Sequence, residues 1–280
     1  MTSGLFCAKV LQHRILISSH WLGDFDLSGG TGRMSAAGRR ERTMDQPVFG
    51  VWEIFPKLTE VIRLAHVEYE MGATGHDFGQ HTFAVAQVAL IIAENEIVGR
   101  IAAAAGTCHN ADRMLQKRLG VGKRDIPEKH VISLIRGWLE ESGEISDADE
   151  KKIVRAVLLH SEPNLEDGDE VLVALQDADR VVCSMAENVM TTAQFWTELP
   201  AIDPRWLGHD PAAHSYKDPR SVLKHLECRY DWIDPASRVC VRLPKARALL
   251  ERRVRFLQAY IAEVEDQRAE IGLWPYPLGS

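Results

Sequence analysis

Paired cysteines are missing from this 280-residue chain. Cys7, Cys108, Cys183, Cys228 and Cys240 are odd in number, widely spaced and without a C-x-x-C pair. That excludes a disulfide framework and a cysteine zinc site, and it predicts reduced thiols in a cytoplasmic setting. Long apolar runs are missing too: none reaches the ~18 residues that span a bilayer. An excess of basic charge is also absent, since 33 Lys and Arg face 40 Asp and Glu for a formal net charge of −7. A general nucleic-acid or anionic-membrane binder relies on basic surface and is disfavoured, although a local basic pocket for phosphate is not. Little of the chain looks β-like beyond fragments such as Val239 to Val241, and there is no internal repeat. What remains is 45% hydrophobic and 26% charged, an ordinary globular composition long enough to bury a substantial core.

The first 47 residues differ in texture from the rest. Val10 to Ser19 is a short apolar patch, followed by Gly29-Gly30-Thr31-Gly32 and the basic cluster Arg39-Arg40-Glu41-Arg42. A secretory signal puts its basic residues before the apolar segment, so the reversed order predicts a poorly ordered tail over 1–47. Met44 offers an alternative start. Beyond the tail the pattern is helical. Pro56 to Ala73 is amphipathic, and glycines 72, 75 and 79 make a loop. Residues 81–98 are apolar nearly all round, as in a helix buried within a bundle, and Gly99 to Cys108 continues as Ala-rich helix. Residues 115–127, with two glycines, Pro127 and Lys117, Arg118, Lys123 and Arg124, predict a polar loop. Helical periodicity resumes over 129–141, 149–160, 170–198, 219–230 and 244–270, with loops near 200–218 and 231–243. The fold class is therefore all-α: a helical core over 48–200 and a C-terminal helical extension over 201–280 packing on it.

Most of the eleven histidines carry no signal. His13 and His20 lie in the tail, His209 and His214 in a Pro-rich loop, and His66 on an amphipathic helix where a structural role is the default. His81, His109, His130 and His160 instead punctuate helix ends across the apolar core. A lone histidine in such a place is usually hydrogen-bonded core. Four in succession, followed by Asp177-Ala178-Asp179, make up the imidazole and carboxylate set that suits a borderline or hard divalent metal. Cys108 beside His109 does not make a thiol-protease pair, because adjacent helical residues point about 100° apart.

The segments GHDFGQHTFAVAQVALIIAENE (75–96), His109 after an Ala-rich helix, and LQDADRVV (175–182) resemble the HD superfamily of metal-dependent phosphohydrolases. The likeness is to a bacterial branch with an HD-x-x-x-H opening and an L-Q-D-A-D-R helix. It extends to SVLKHLECRYDWIDPASR (221–238) and the long final helix, and so covers roughly residues 74–270, with LQDADR its most specific piece. His76-Asp77 spells the letters of the family name, yet Asp77 sits where a helix N-cap is wanted. By the family pattern the first metal histidine is His81 and the doublet is His109-Asn110.

The resemblance implies a single HD-type helical bundle with a C-terminal extension, holding a divalent metal through His81, His109, Asn110 and Asp179. The metal would be manganese, magnesium, or a transition metal such as iron, cobalt or nickel. Asp179 is preferred to Asp177 because the family's metal carboxylate precedes the arginine; Asp177 would cap, or hydrogen-bond a ligand histidine. Asn110 departs from the pattern, offering a neutral amide oxygen in place of a carboxylate, so the metal would be held more weakly. Asp112 and His160 are the candidate catalytic groups, and His130, Arg113 and Lys117 the candidate phosphate contacts. An Asp112–Arg113 surface pair and a solvated basic loop are the plainer alternatives. The implied function is hydrolysis of a phosphate ester or anhydride in a small molecule, expected to be a nucleotide, with no nucleic-acid or membrane partner and a homodimer left open. The alternatives are a degenerate HD domain that binds a nucleotide or protein without hydrolysis, and a helical scaffold whose histidines only pack.

Overall fold

The computed structural model describes residues 50–73, 75–165, 168–203 and 221–274. The expected tail over 1–47, with Met44, His13 and His20, lies outside the described residues, as do His209 and His214. The described chain is all-α. Helix α1 (Val51–Ile54) leads into α2 (Pro56–Glu68), which starts on a proline whose missing N–H is no loss in a first turn and buries Leu58, Ile62 and Ala65. After a 3₁₀ turn at Met71–Ala73, Asp77 caps a π-helical turn, Phe78–Thr82, its carboxylate accepting from the Gln80 N–H at 2.8 Å.

Helix α3 (Phe83–Ile92) is separate from α4 (Glu96–Cys108), whereas the apolar pattern predicts one continuous helix. The chain turns at Ala93, and the Asn95 side chain accepts from the N–H groups of Ile97 and Val98 at 2.8 and 3.3 Å, starting a new helix. Helix α5 (Ala111–Leu119) runs into the stretch predicted to be a polar loop. Lys117 and Arg118 are exposed while Ala111 and Met114 are buried, and Gly120 ends it at φ 64°, a left-handed conformation that glycine adopts without strain.

Helices α6 (Glu128–Ser142) and α7 (Asp147–Leu159) follow the predicted pattern. Then α8 (Glu170–Val182) and α9 (Asn188–Phe195) divide a stretch predicted as one helix. The chain closes with α10 (Val222–Glu227) and the 27-residue α11 (Pro244–Glu270). Among the described residues there is no strand, Val239 to Val241 included, and no helix is long and apolar enough to cross a membrane.

Helices α3, α4 and α8 form the middle of the bundle, with α2, α7 and α11 packed around them. The α3–α4 contact is unusually close. Ala102 to Ala105 are wholly buried, and a Cβ added at Gly106 would stand 2.8 Å from Ala86 Cα. Helix α11 is fastened to α8 through Asp177. That fully buried carboxylate accepts from the backbone N–H groups of Arg242 and Leu243 at 2.7 and 2.8 Å, at the N-cap of α11, with the Arg180 and Arg242 guanidiniums 3.7 and 3.4 Å away. Asp177 thus holds the last long helix and not a ligand histidine. Gln176 donates to the carbonyls of Leu159 and Glu162, joining α8 to the end of α7.

Two measurements check this packing. Gly106→Ala forces a methyl into the Ala86 backbone and should destabilise the fold by about 1–3 kcal/mol in urea unfolding. An unchanged midpoint would show that α3 and α4 can separate without cost. His225, on α10 beside the Trp196 ring, has its pKa pushed down to about 4 by burial and then by Arg229. A free imidazole titrates near pH 6.5, so as pH falls from there toward 4 the unfolded chain takes up the proton first and stability is lost. Between pH 7 and pH 5 the wild-type midpoint should therefore fall further than that of His225→Phe, and equal slopes would contradict the assignment.

Candidate metal centre

Four helix ends and turns bring the imidazoles together. His109 is the C-cap of α4, and its Nδ1–H donates to the Gly106 carbonyl at 2.6 Å. Its Nε2 is therefore left with a lone pair, which burial keeps unprotonated by pushing the pKa down to about 3, helped by His81. That atom stands 3.0 Å from Nε2 of His81, carried on the π-helical turn. Asp179 on α8 places Oδ1 3.5 Å from the same His81 nitrogen. Burial opposes ionisation of Asp179, but the surrounding imidazoles, His81 first and then His109, outweigh it and hold the carboxyl well below the usual carboxylate range. His160, the C-cap of α7, repeats the His109 arrangement. Its Nδ1–H donates to the Val157 carbonyl at 2.6 Å, and its ring lies 5.4 Å from that of His109.

These separations fit a cation. Two imidazole nitrogens each about 2.1 Å from one tetrahedral ion stand about 3.4 Å apart, so the His81 and His109 nitrogens at 3.0 Å are within about 0.4 Å of that edge. His81, Asp179 and Cys183 each offer a donor atom within 4.8 Å of the others, a group able to hold a metal ion. Cys183 carries no signal as half of a cysteine pair; its spacing of four from Asp179 along α8 is what the sequence offers. His76 belongs to no expected ligand set, yet its ring stands 5.1 Å from that of His81 and 6.1 Å from that of Phe195, at the edge of the cluster.

Asn110 has a definite hydrogen-bonding task. His66 Nδ1 faces the Ile62 carbonyl at 2.8 Å and must donate to it, and burial, the largest influence, holds the ring neutral by lowering its pKa. Nε2 of His66 then accepts, so the Thr82 hydroxyl, 2.8 Å away, donates to it. The Thr82 oxygen is left as an acceptor, and it takes an N–H from Asn110 Nδ2 at 2.7 Å. Each link fixes the next, and the last one requires an amide. A carboxylate there has no proton to give.

The other expected residues are less convergent. Asp112 pairs with Lys123 at 3.1 Å, not with Arg113, and Lys123 also donates to Ser161 Oγ at 2.7 Å. The buried Oδ1 of Asp112 has no hydrogen-bond partner among the described residues. Burial works against its charge, but Lys123 and then His160 keep its carboxyl below the ordinary range. Arg113 bonds Gln116 Oε1 at 3.0 Å and, with His76, Lys117 and Phe195, lines a cleft of about 380 Å³. Lys117 donates to the Glu70 carbonyl. His130 is exposed on the first turn of α6, outside the buried cluster. A larger cleft of about 460 Å³, lined by Lys123, Arg136, Lys151 and aliphatic side chains, includes Asp112 but none of the histidines.

Comparison with protein-family models, with curated proteins and with solved structures finds no match to this chain.

Asn110→Asp should lower the stability of the metal-free protein by about 1–3 kcal/mol, because Thr82 must then donate to the carboxylate and His66 Nε2 loses its proton donor. Thermal unfolding of both forms in a chelator reads this directly. A variant as stable as wild type would show that the chain of donors does not fix the amide.

Proposed function

We propose that this chain is a metal-dependent phosphohydrolase of the HD kind, acting on a phosphate ester or anhydride with a nucleotide as its substrate class. The observation that carries the reading is the pair of His81 and His109 Nε2 atoms 3.0 Å apart, with the Asp179 carboxylate 3.5 Å from one of them. Those three residues would hold a divalent ion, whose contribution when bound is to polarise a phosphoryl oxygen and acidify water. The remaining tasks belong to the chain. His160, its Nδ1 committed to a carbonyl, presents Nε2 as the atom that takes a proton from the attacking water. As the new P–O bond forms and the bond to the leaving oxygen breaks, the same nitrogen returns the proton to that oxygen. Asp112 lies within electrostatic reach of His160, which helps hold its carboxyl below the ordinary range. Arg113 and Lys117, lining the cleft beside His76, would neutralise non-bridging oxygens.

A second reading is a degenerate domain that binds a nucleotide or protein without hydrolysis. The commitment of the Asn110 amide to Thr82 supports it, since this leaves the doublet with one histidine and no carboxylate.

Elemental analysis of the purified chain, followed by turnover of a nucleotide panel with added manganese, tests both. The hydrolase reading expects bound metal, hydrolysis of at least one member, and loss of that hydrolysis in His109→Ala. Metal at 100 times its Kd should stabilise the wild type by about 2.7 kcal/mol through mass action, and His109→Ala should lose that increment. An equal stabilisation of both proteins would place the metal elsewhere. Metal without turnover would leave the binding module.

A further inference from the structure

Cys183 is the C-cap of α8, one helical turn beyond Asp179. Its carbonyl accepts from Arg229 Nε at 3.1 Å, and Arg229 also donates to the His225 carbonyl at 2.7 Å, so the main chain at Cys183 is clamped in place. The thiol is turned toward the histidine cluster. Its sulfur stands 3.7 Å from Asp179 Oδ1, the same oxygen that lies 3.5 Å from His81 Nε2. That one oxygen is therefore flanked by a nitrogen and a sulfur at similar distances. Donors held at about 2.1 Å (N and O) and 2.3 Å (S) around one tetrahedral ion stand about 3.4 Å apart for N and O, and about 3.6 Å for S and O. The two observed separations fall within about 0.1 Å of those edges.

We propose that Cys183 is a sulfur ligand of this centre, which therefore takes a borderline transition-metal ion such as zinc, cobalt(II) or iron(II) and discriminates against magnesium. The inference rests on the metal-centre reading above and adds to it the ligand that sets the choice of ion. A hard cation such as magnesium wants an octahedron of oxygens. Here the donors gathered within 4.8 Å of one another are one imidazole nitrogen of His81, one carboxylate oxygen of Asp179 and the sulfur of Cys183, a set that favours softer ions. Binding breaks the S–H bond of Cys183; the proton leaves to solvent, and the sulfur electron pair goes to the cation. The competing role for the thiol is an S–H donor that only orients Asp179.

Cobalt(II) separates the two roles, because thiolate coordination adds a sulfur-to-cobalt charge-transfer band in the near ultraviolet that imidazole and carboxylate ligands do not. The full-length chain, reduced and without oxygen, is titrated with cobalt(II) chloride while the absorption spectrum is followed. The wild type should develop that band, saturating at one equivalent. Cys183→Ser and Cys183→Ala should keep the weaker visible bands of bound cobalt and lose the charge-transfer band. Their cobalt affinity should fall by more than the roughly 10–100-fold that loss of an outer hydrogen-bond partner costs. Magnesium in hundredfold excess over cobalt should not displace it. Cobalt bound by the wild type without the charge-transfer band would overturn the sulfur ligand and leave the centre standing. A band that survives in both variants would assign it to another cysteine and overturn the proposal equally. No cobalt binding at all would remove the metal centre and this ligand together. The wild-type spectrum decides even if a variant fails to fold.

Discussion

The closeness of α3 and α4 is the constraint on which the centre depends. It exists because residue 106 has no side chain and Ala86 lies opposite it, so the two backbones approach to a distance that any larger residue would forbid. The same glycine supplies the carbonyl that receives the His109 proton. One residue thus sets how near the helices come and which nitrogen of His109 faces inward. With a wider gap, His81 and His109 would remain on their elements but would no longer face each other at 3.0 Å.

Around that contact, buried polar groups divide into those that are committed and those that are not. Gln176, Asp177 and Arg180 spend their hydrogen bonds on neighbouring elements: Gln176 on the end of α7, Asp177 on the start of α11, and Arg180 on Asn164 Oδ1 at 2.7 Å. Asp179, in the same short run, faces the other way toward the histidines. The LQDADR segment is in this sense a joint with one residue, Asp179, not used in it. Asn110 belongs with the committed group through Thr82 and His66, which anchors the turn that bears His81.

Much of this could be read from the residues alone. The all-α class follows from the periodicity, and His81, His109, His130 and His160 stand out at helix boundaries within an apolar chain, whereas Asp179, inside α8, is singled out only by its place before Arg180 in the pattern the chain resembles. The division at Ala93 was hidden, because an apolar stretch reads as one helix unless the capping power of Asn95 is weighed. The α5 helix was hidden for the opposite reason. Its charge density reads as loop, while its fully buried face is only Ala111 and Met114, with Leu115 partly buried against the core. The departure at Asn110 was visible, but its purpose was not, since the partner that requires an amide is Thr82, 28 residues earlier. Cys183 was counted among thiols without its distance from Asp179.

His109, His160 and Cys183 are the C-caps of α4, α7 and α8. Three helices therefore end on the same small volume, each with its last carbonyls unpaired within the helix and a partial charge of about −0.5 at that end. Together they give the pocket a standing negative potential before any carboxylate is counted, and Asp179 deepens it. Such a field draws in a cation and repels a phosphate. Backbone and side chain therefore bias the same small volume toward a cation over an anion.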